Sequence, residues 1–517
     1  MAALRFAAFG QDDNRLAGPE IGEVRLTTPE GALASRPLTG DDQGLGIDAS
    51  DLVCRPGEGF VVNARWAMPD FGYLWLQADN GGQLYRVPHS GAAQVWNLNY
   101  ELARTRVLWN SQLEQSAAQK GAGAVPQKVR SALAGAGSLL HDAMFANHDR
   151  RSRLADDALA RALDAGERLA IHVARWRIVW QVGPAAFGPP SALRLATALG
   201  PDADSSGAEA DLRRDVFGEV TVAFSAETVA SGGTPEADRA VSAAASLAAR
   251  VRGRALLPYL DPSGQPAVAA GDDERCRWRD AAAALARRYG EAVATWELVP
   301  PVPHLVLGRA HLAQIVETAE AVKLACPEAE LVLCPGEMLA HRMAFVPPHA
   351  GERPAGAGGP MRLAGACLAA TEAIDALALA LYYPNCDLLQ LMRTVDMVAG
   401  AGRPVHLLAA AAPSQWKDDP LADLCRGRAD VTRGLGYWRR PWTPEVQAEY
   451  GLGLALLARA HPAVVALEWC DLSDARPHVF PYGGLLDAAG QPKPLHGLLA
   501  EAQREQFVVD RPWGESL

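Results

Sequence analysis

Up to about residue 90 the apolar and polar positions alternate. In Phe60-Val61-Val62-Asn63-Ala64-Arg65-Trp66 and in Tyr73-Leu74-Trp75-Leu76-Gln77 the alternation has period two, which predicts β-strands. Between Leu76 and Leu84, Asp79-Asn80-Gly81-Gly82 is a hairpin turn signal. From about residue 95 the period lengthens. Val95, Leu98, Leu102, Trp109 and Leu113 recur at helical spacing, as do Leu159, Leu163, Leu169 and Val173, with Leu133, Leu139, Leu140 and Met144 between them. Two or three helices are predicted there. From about residue 190 short apolar runs alternate with amphipathic stretches, as parallel β/α units require. The runs fall at 192–199, 220–224, 254–260, 293–299, 330–333, 374–381, 405–411 and 464–469, and the helical stretches include 280–289, 312–324, 388–398 and 444–460.

Eight such runs fit one closed barrel, which needs about 250 residues. The expected fold is α/β: a (β/α)8 TIM barrel over residues 190–505, preceded by a small β-sandwich-like domain over 1–90 and a helical connector over 91–180. The connector packs on the barrel or serves oligomerisation. Two loops, an acidic one at 201–210 and a Gly/Pro-rich one at 347–360, follow strand ends and so belong to the face where barrel enzymes keep their sites. Trp66, Phe71, Tyr73 and Trp75 are expected to fill the core of the N-terminal domain, the alternative being a sugar-stacking platform.

Composition narrows the function classes. A hydrophobic fraction of 49% with 21% charged residues suits a chain with a sizeable core. The net charge of −11, with only short basic runs such as Arg150-Arg151-Ser152-Arg153, argues against a nucleic-acid partner, since phosphate binding needs clustered Lys and Arg. No apolar run is long enough to predict a membrane span. The start carries no basic stretch followed by an apolar one, so a cytoplasmic place is expected. Eight cysteines without a Cys-x-x-Cys pair indicate neither a zinc site nor a disulfide framework. No His-Glu-x-x-His, Gly-x-Ser-x-Gly, phosphate-loop or dinucleotide fingerprint occurs, and no cofactor or metal is expected.

The C-terminal part carries a resemblance. Tyr437-Trp438-Arg439-Arg440-Pro441-Trp442-Thr443-Pro444-Glu445 leads through a helix to Val464-Val465-Ala466-Leu467-Glu468-Trp469, then to Gly483-Gly484-Leu485-Leu486 and Pro492-Lys493-Pro494. That order resembles the end of a glycoside hydrolase family 10 (xylanase-type) barrel, whose eighth strand delivers a tryptophan to the sugar site. The resemblance extends over roughly residues 190–505. It implies a general acid at the end of the fourth strand, in W-D-V-V-N-E, where this chain has Trp296-Glu297-Leu298-Val299-Pro300-Pro301. It implies a nucleophile on the seventh, in H-I-T-E-L, where the chain has His406-Leu407-Leu408-Ala409-Ala410. On the third strand Tyr259 stands where the family has a sugar-binding histidine, and on the sixth Tyr382 stands for another.

Retaining hydrolysis needs two carboxyl groups about 5–5.5 Å apart, one to protonate the leaving oxygen and one to attack the anomeric carbon. Neither Pro301 nor Ala409 can do this. The leading expectation is therefore a family 10-like protein without catalysis, recognising an oligo- or polysaccharide through Tyr259, Tyr382 and Trp469, or acting as a scaffold. One alternative is an active glycosidase cutting O-glycosyl bonds of a β-linked polysaccharide with relocated carboxylates, drawn from Glu337, Glu468 and Asp471. The other is a purely structural protein whose barrel is covered in a homo-oligomer or by a protein partner. His406 is expected to be a satisfied core histidine.

Overall fold

In a computed structural model of the chain, the described residues are 3–10, 14–16, 24–31, 34, 40–41, 44–48, 59–87, 94–180, 193–199, 216–247, 250–254, 256–257, 271–301, 307, 311–336, 359–382, 384–415, 437–475 and 482–503. The alternating N-terminal segments form strands β1 (Ala3–Ala7), β2 (Val24–Thr27), β3 (Gly40–Asp41), β4 (Gly44–Asp48), β5 (Val61–Met68), β6 (Gly72–Ala78) and β7 (Gln94–Asn97). They make two sheets, ordered β3-β4-β1-β7 and β2-β5-β6. The turn at 79–82 exists, with Asn80, Gly81 and Gly82 at positive φ, but it does not return the chain along β6. It carries Tyr85 back to bridge Phe60, while β5 and β6 are joined through Asp70 and Gly72, both also at positive φ. Trp66, Phe71 and Trp75 are buried and fill the core. Tyr73 is exposed, with the Arg65 guanidinium 4.9 Å over its ring.

The 3.6-residue periodicity becomes three long helices, α1 (Leu98–Gln119), α2 (Gln127–Phe145) and α3 (His148–Trp180). Asn97 caps α1 by accepting from Tyr100 N–H at 2.9 Å. Helix α1 packs on α3 at Gly166, where a Cβ would lie 2.4 Å from Asn110 Oδ1. Asn110 uses its amide there to donate to the Ala162 carbonyl at 2.8 Å.

The eight runs close into one parallel barrel: β8 (Arg194–Leu199), β9 (Glu219–Ala223), β10 (Arg250–Arg254), β11 (Val293–Glu297), β12 (Glu330–Leu333), β13 (Ala376–Tyr382), β14 (Val405–Ala410) and, after a short ribbon of β15 (Tyr437–Trp438) and β16 (Arg440–Pro441), β17 (Val464–Trp469), which pairs back onto β8. Helices α4 (Ala226–Ser231), α5 (Pro235–Leu247), α6 (Asp272–Tyr289), α7 (Leu312–Ala325), α8 (Pro360–Ala370), α9 (Leu388–Ala399), α10 (Pro444–Ala460) and α11 (Pro494–Gln503) fall between and after the strands. This is a (β/α)8 barrel. Strands β13 and β14 are buried along their whole length, as expected of parallel strands covered on both faces.

The third strand differs from the sequence reading. It lies at 250–254, ahead of the apolar run at 254–260, because its inward positions are arginines and disguise it as a polar segment. The fourth also ends earlier than the expected run at 293–299, so Glu297 closes its strand.

Buried polar ties join the parts. Arg106 of α1 pairs with Asp387, the cap of α9, at 2.6 Å, with both side chains buried. Glu167 of α3 accepts from Leu388 N–H at 3.0 Å, from Arg439 Nε at 2.9 Å and from Trp438 Nε1 at 3.3 Å. Trp75 N–H of β6 donates to the Asn385 carbonyl at 2.7 Å. One contiguous apolar core runs through the sheets, the helices and the barrel. Among the described residues no helix is long and apolar enough to cross a membrane.

Candidate functional site at the barrel axis and mouth

The period-two alternation of the barrel strands puts Arg194, Glu219, Arg250, Arg252, Arg254, Glu297, Glu330, His406 and Glu468 into one connected network. Barrel interiors are ordinarily layers of branched apolar side chains. Here the axis is a column of ion pairs. Four arginines face four glutamates, so the column is neutral when all eight are charged.

At its lower end Glu330, at the start of β12, accepts from Arg194 Nη1 at 3.0 Å and Arg250 Nη2 at 2.8 Å, and Thr295 Oγ1 donates to it at 2.9 Å. Burial opposes ionisation of Glu330, but His406 and Arg194 outweigh it and hold the carboxyl far below the usual carboxylate range. In the middle, Arg252 is fully buried and donates from Nε to Glu219 at 2.9 Å and from Nη2 to His406 Nδ1 at 2.8 Å. The other ring nitrogen, Nε2, lies 3.3 Å from Arg194 Nη2 and 3.4 Å from Glu330 Oε1, so a guanidinium faces each side of the ring. Burial, with Arg252 alongside, pushes the His406 pKa down to about 4. His406 is thus the satisfied core histidine expected, and it is a working member of the column.

The upper end lies at the carboxyl ends of the strands. Arg254 donates from Nε to Glu297 Oε2 at 2.8 Å and from Nη2 to both Glu297 Oε1, at 3.2 Å, and Glu468 Oε2, at 2.7 Å. One guanidinium nitrogen shared by two carboxylates holds them within roughly 6 Å of one another. Glu468 also accepts from Thr221 Oγ1 at 2.6 Å and from the Ala409 N–H at 3.3 Å. The two environments differ. Burial raises Glu297 despite Arg254, and the nearby Glu468 charge adds to the rise. Burial also pushes Glu468 upward, but Arg254 and Arg252 overcome it and leave its carboxyl below the ordinary range. Such a split separates a proton donor from an ionised partner in glycosidases. Here a guanidinium fills the space between them.

Around this pair stand the positions singled out in the sequence. Ala409, buried and one residue before the end of β14, and Tyr382, which ends the neighbouring β13, both take positive φ, 54° and 48°, a costly backbone state outside glycine. Pro301 is buried and lies four residues beyond the end of β11, at the same end of the barrel as Ala409. Trp469 ends β17, is 2% exposed, and donates its indole N–H to the Gly483 carbonyl at 2.9 Å. Asp471 is buried just beyond β17, hydrogen-bonded to Cys470, whose thiol burial pushes well up. Asp474 accepts from Gly484 N–H at 2.8 Å and pairs with Lys493. Glu337, Tyr259, the loop at 201–210 and the loop at 347–360 up to residue 358 lie outside the described residues. Among the described residues no group of three or more His, Cys, Asp or Glu is arranged to hold a metal.

Of the predicted candidates, the structure brings Glu468 and Ala409 together. Sequence reading missed Glu297, Arg254, Arg252 and Glu219 as partners. Their signal was present in Arg250-Val251-Arg252-Gly253-Arg254, which alternates charge with period two as an inward strand face does.

No protein-family model matches the chain, and no curated protein matches it. Among solved structures, the chain is similar to a psychrophilic glycoside hydrolase family 10 endo-β-1,4-xylanase at 14% identity and TM-score 0.43, over 60% of this chain and 96% of the xylanase. It is similar to native xylanase 10B from Thermotoga maritima at 12% identity and TM-score 0.43, over 61% and 96%. A family 39 glycoside hydrolase from Bacteroides cellulosilyticus WH2 shows 16% identity and TM-score 0.41, over 62% and 64%. The (β/α)8 assignment rests on the strand order and parallel register of this barrel, and no residue role passes from those enzymes to this chain.

Proposed function

We propose that this protein is a family 10-like barrel that does not hydrolyse glycosidic bonds and serves as a scaffold. One observation carries the reading: Arg254 bridges the two carboxylates that reach the mouth. A retaining glycosidase must place a scissile bond between its carboxyl groups, and an inverting one must add a water. A guanidinium bound to both groups excludes either. Pro301 and Ala409 at the family's catalytic positions support the same reading, since neither side chain carries a proton or forms an ester.

Scaffolding is preferred over sugar recognition because Trp469 and Tyr382 are 2% and 6% exposed. A ring that stacks on a sugar must present a face to solvent, whereas these are covered. The separation into an N-terminal β-domain, a helical connector and a barrel belongs to this proposal, with a protein partner or a second copy as what the scaffold holds.

The test is release of reducing sugar from xylan and of the aryl group from aryl β-xylosides. We expect none. Turnover that disappears in Glu297→Gln or Glu468→Gln would overturn the proposal in favour of a glycosidase working from this pair. Calorimetric titration with xylo- and cello-oligosaccharides is expected to give no heat, and a heat lost in Trp469→Ala would restore sugar recognition.

A further inference from the structure

Away from the barrel mouth, a cavity of about 270 Å³ opens between α1 and α3 on one side and the outer helices α9 and α10 on the other. Its walls are apolar where Val173, Leu389 and Leu457 line them, and three cations, Lys120, Arg177 and Arg393, share them. Among the described residues none of the three forms an ion pair with a carboxylate. The one carboxylate of the lining, Asp396, is engaged by His461, whose Nδ1 accepts from Ala463 N–H at 3.2 Å and whose Nε2 lies 3.0 Å from Asp396. Arg393 lies with its guanidinium 4.2 Å over the ring of Trp109, a contact that uses the face of the guanidinium and none of its N–H groups.

A second cavity, of about 220 Å³, adjoins the first across Trp109 and Arg393, which line both. It is walled by the amides of Asn63, Gln77 and Gln390 and the hydroxyl of Thr394. One arginine therefore stands between an apolar chamber with two further cations and a polar chamber. Burial disfavours the charged form of Arg393, with Asp79 and Asp396 acting against that. Burial also weakens the hold of Arg177 on its proton, with Asp396 the only acid acting against that. A bound anion offsets both effects, and the guanidinium fork matches a carboxylate or phosphate in two parallel hydrogen bonds.

We infer that the paired cavities between the helical segment and the barrel are a binding site for an organic anion: a phosphate or carboxylate group held by Arg177 and Arg393, with Lys120 further along the same wall, carried on an apolar body. The site is separate from the barrel mouth and stands whether or not the barrel hydrolyses sugars.

The experiment is calorimetric titration of the full chain with phenyl phosphate, benzoate, inorganic phosphate and, as the uncharged control, phenol, at low and at moderate ionic strength. Phenyl phosphate or benzoate should bind more tightly than inorganic phosphate and than phenol, and binding should weaken as salt rises. The two aromatic anions separate a phosphate from a carboxylate preference. Arg177→Met and Arg393→Met, which keep the side-chain stems, should each weaken binding at least tenfold, and Lys120→Ala on the exposed end of α1 should weaken it less. Arg239→Met, on the exposed face of α5, should leave it unchanged. Thermal melts check that the variants fold. Absence of binding by both aromatic anions, or binding that Arg177→Met, Arg393→Met and Lys120→Ala all leave intact, would overturn the assignment.

Discussion

Arg254 satisfies two buried carboxylates with one guanidinium, so removing it leaves Glu297 with only Arg252 at 3.4 Å and Glu468 without its closest cation. Breaking a buried pair costs about 3–5 kcal/mol, because an uncompensated charge stays in the interior. Arg254→Met is expected to lower stability by that order, measured by urea unfolding. In the variant both carboxyl pKa values rise above their unfolded values, so the variant is favoured below the unfolded pKa and loses ground as pH increases. The gap from wild type should be wider at pH 8 than at pH 5. His406 gives a second pH signature. Its folded pKa of about 4 lies below the 6.5 of a free imidazole, so the unfolded chain takes up the proton first. Its contribution is complete above pH 6.5 and is lost as pH falls from 6.5 towards 4, about 3 kcal/mol in all. Glu330, Glu219 and Glu468, all depressed, lose theirs at still lower pH, whereas Glu297, raised, works in the opposite sense. His406→Gln should flatten the pH dependence of stability between 6.5 and 4.5. An equally steep profile in the variant would mean that another group titrates there.

At the scale of single elements, β10 shows how an outward position sets the packing of its neighbour. Gly253 pairs in register with Trp296 of β11, and a Cβ on it would lie 2.5 Å from the indole and 2.9 Å from Phe224. Trp296 and Phe224 stack at 5.5 Å between centroids, so neither has room to yield. Gly253→Ala should cost about 1–3 kcal/mol, as overpacking does. Gly365, within α8, has nothing within 4 Å of an added Cβ, and Gly365→Ala should stabilise by about 0.5–1 kcal/mol through helix propensity. The opposite signs, read from thermal melts of the two variants, check both the inward and outward assignment of β10 and the exposure of α8. The elements themselves were largely legible: helix α10 coincides with its sequence reading at 444–460, and β12 and β17 with theirs. β10 was displaced because arginines at alternate positions read as surface, and nothing local says that the surface closes on itself.

For the whole molecule, the apolar core continues from the N-terminal sheets through the long helices into the barrel. The Arg106–Asp387 pair and the Glu167 cluster lie in that continuity, and each loses its partner if one part unfolds alone. Calorimetry should therefore show a single unfolding transition, with van't Hoff and calorimetric enthalpies in agreement. Two resolved transitions would establish the N-terminal part or the helices as an independent unit.

The sequence by itself determined the alternation of eight apolar runs with helices, and hence the barrel. The expectation that Pro301 and Ala409 stand where carboxylates would act came from the resemblance. The barrel is a local reading, taken from period and residue type. Which charged residues meet one another was decided only by the tertiary structure. Arg254 reaches Glu297 across 43 residues of chain and Glu468 across 214, and no pattern within one strand encodes such a meeting. Period two tells which side chains share a face of a strand. Whether that face looks at water or at seven other strands follows from closure, and closure turned a row of arginines and glutamates into a buried axis of ion pairs.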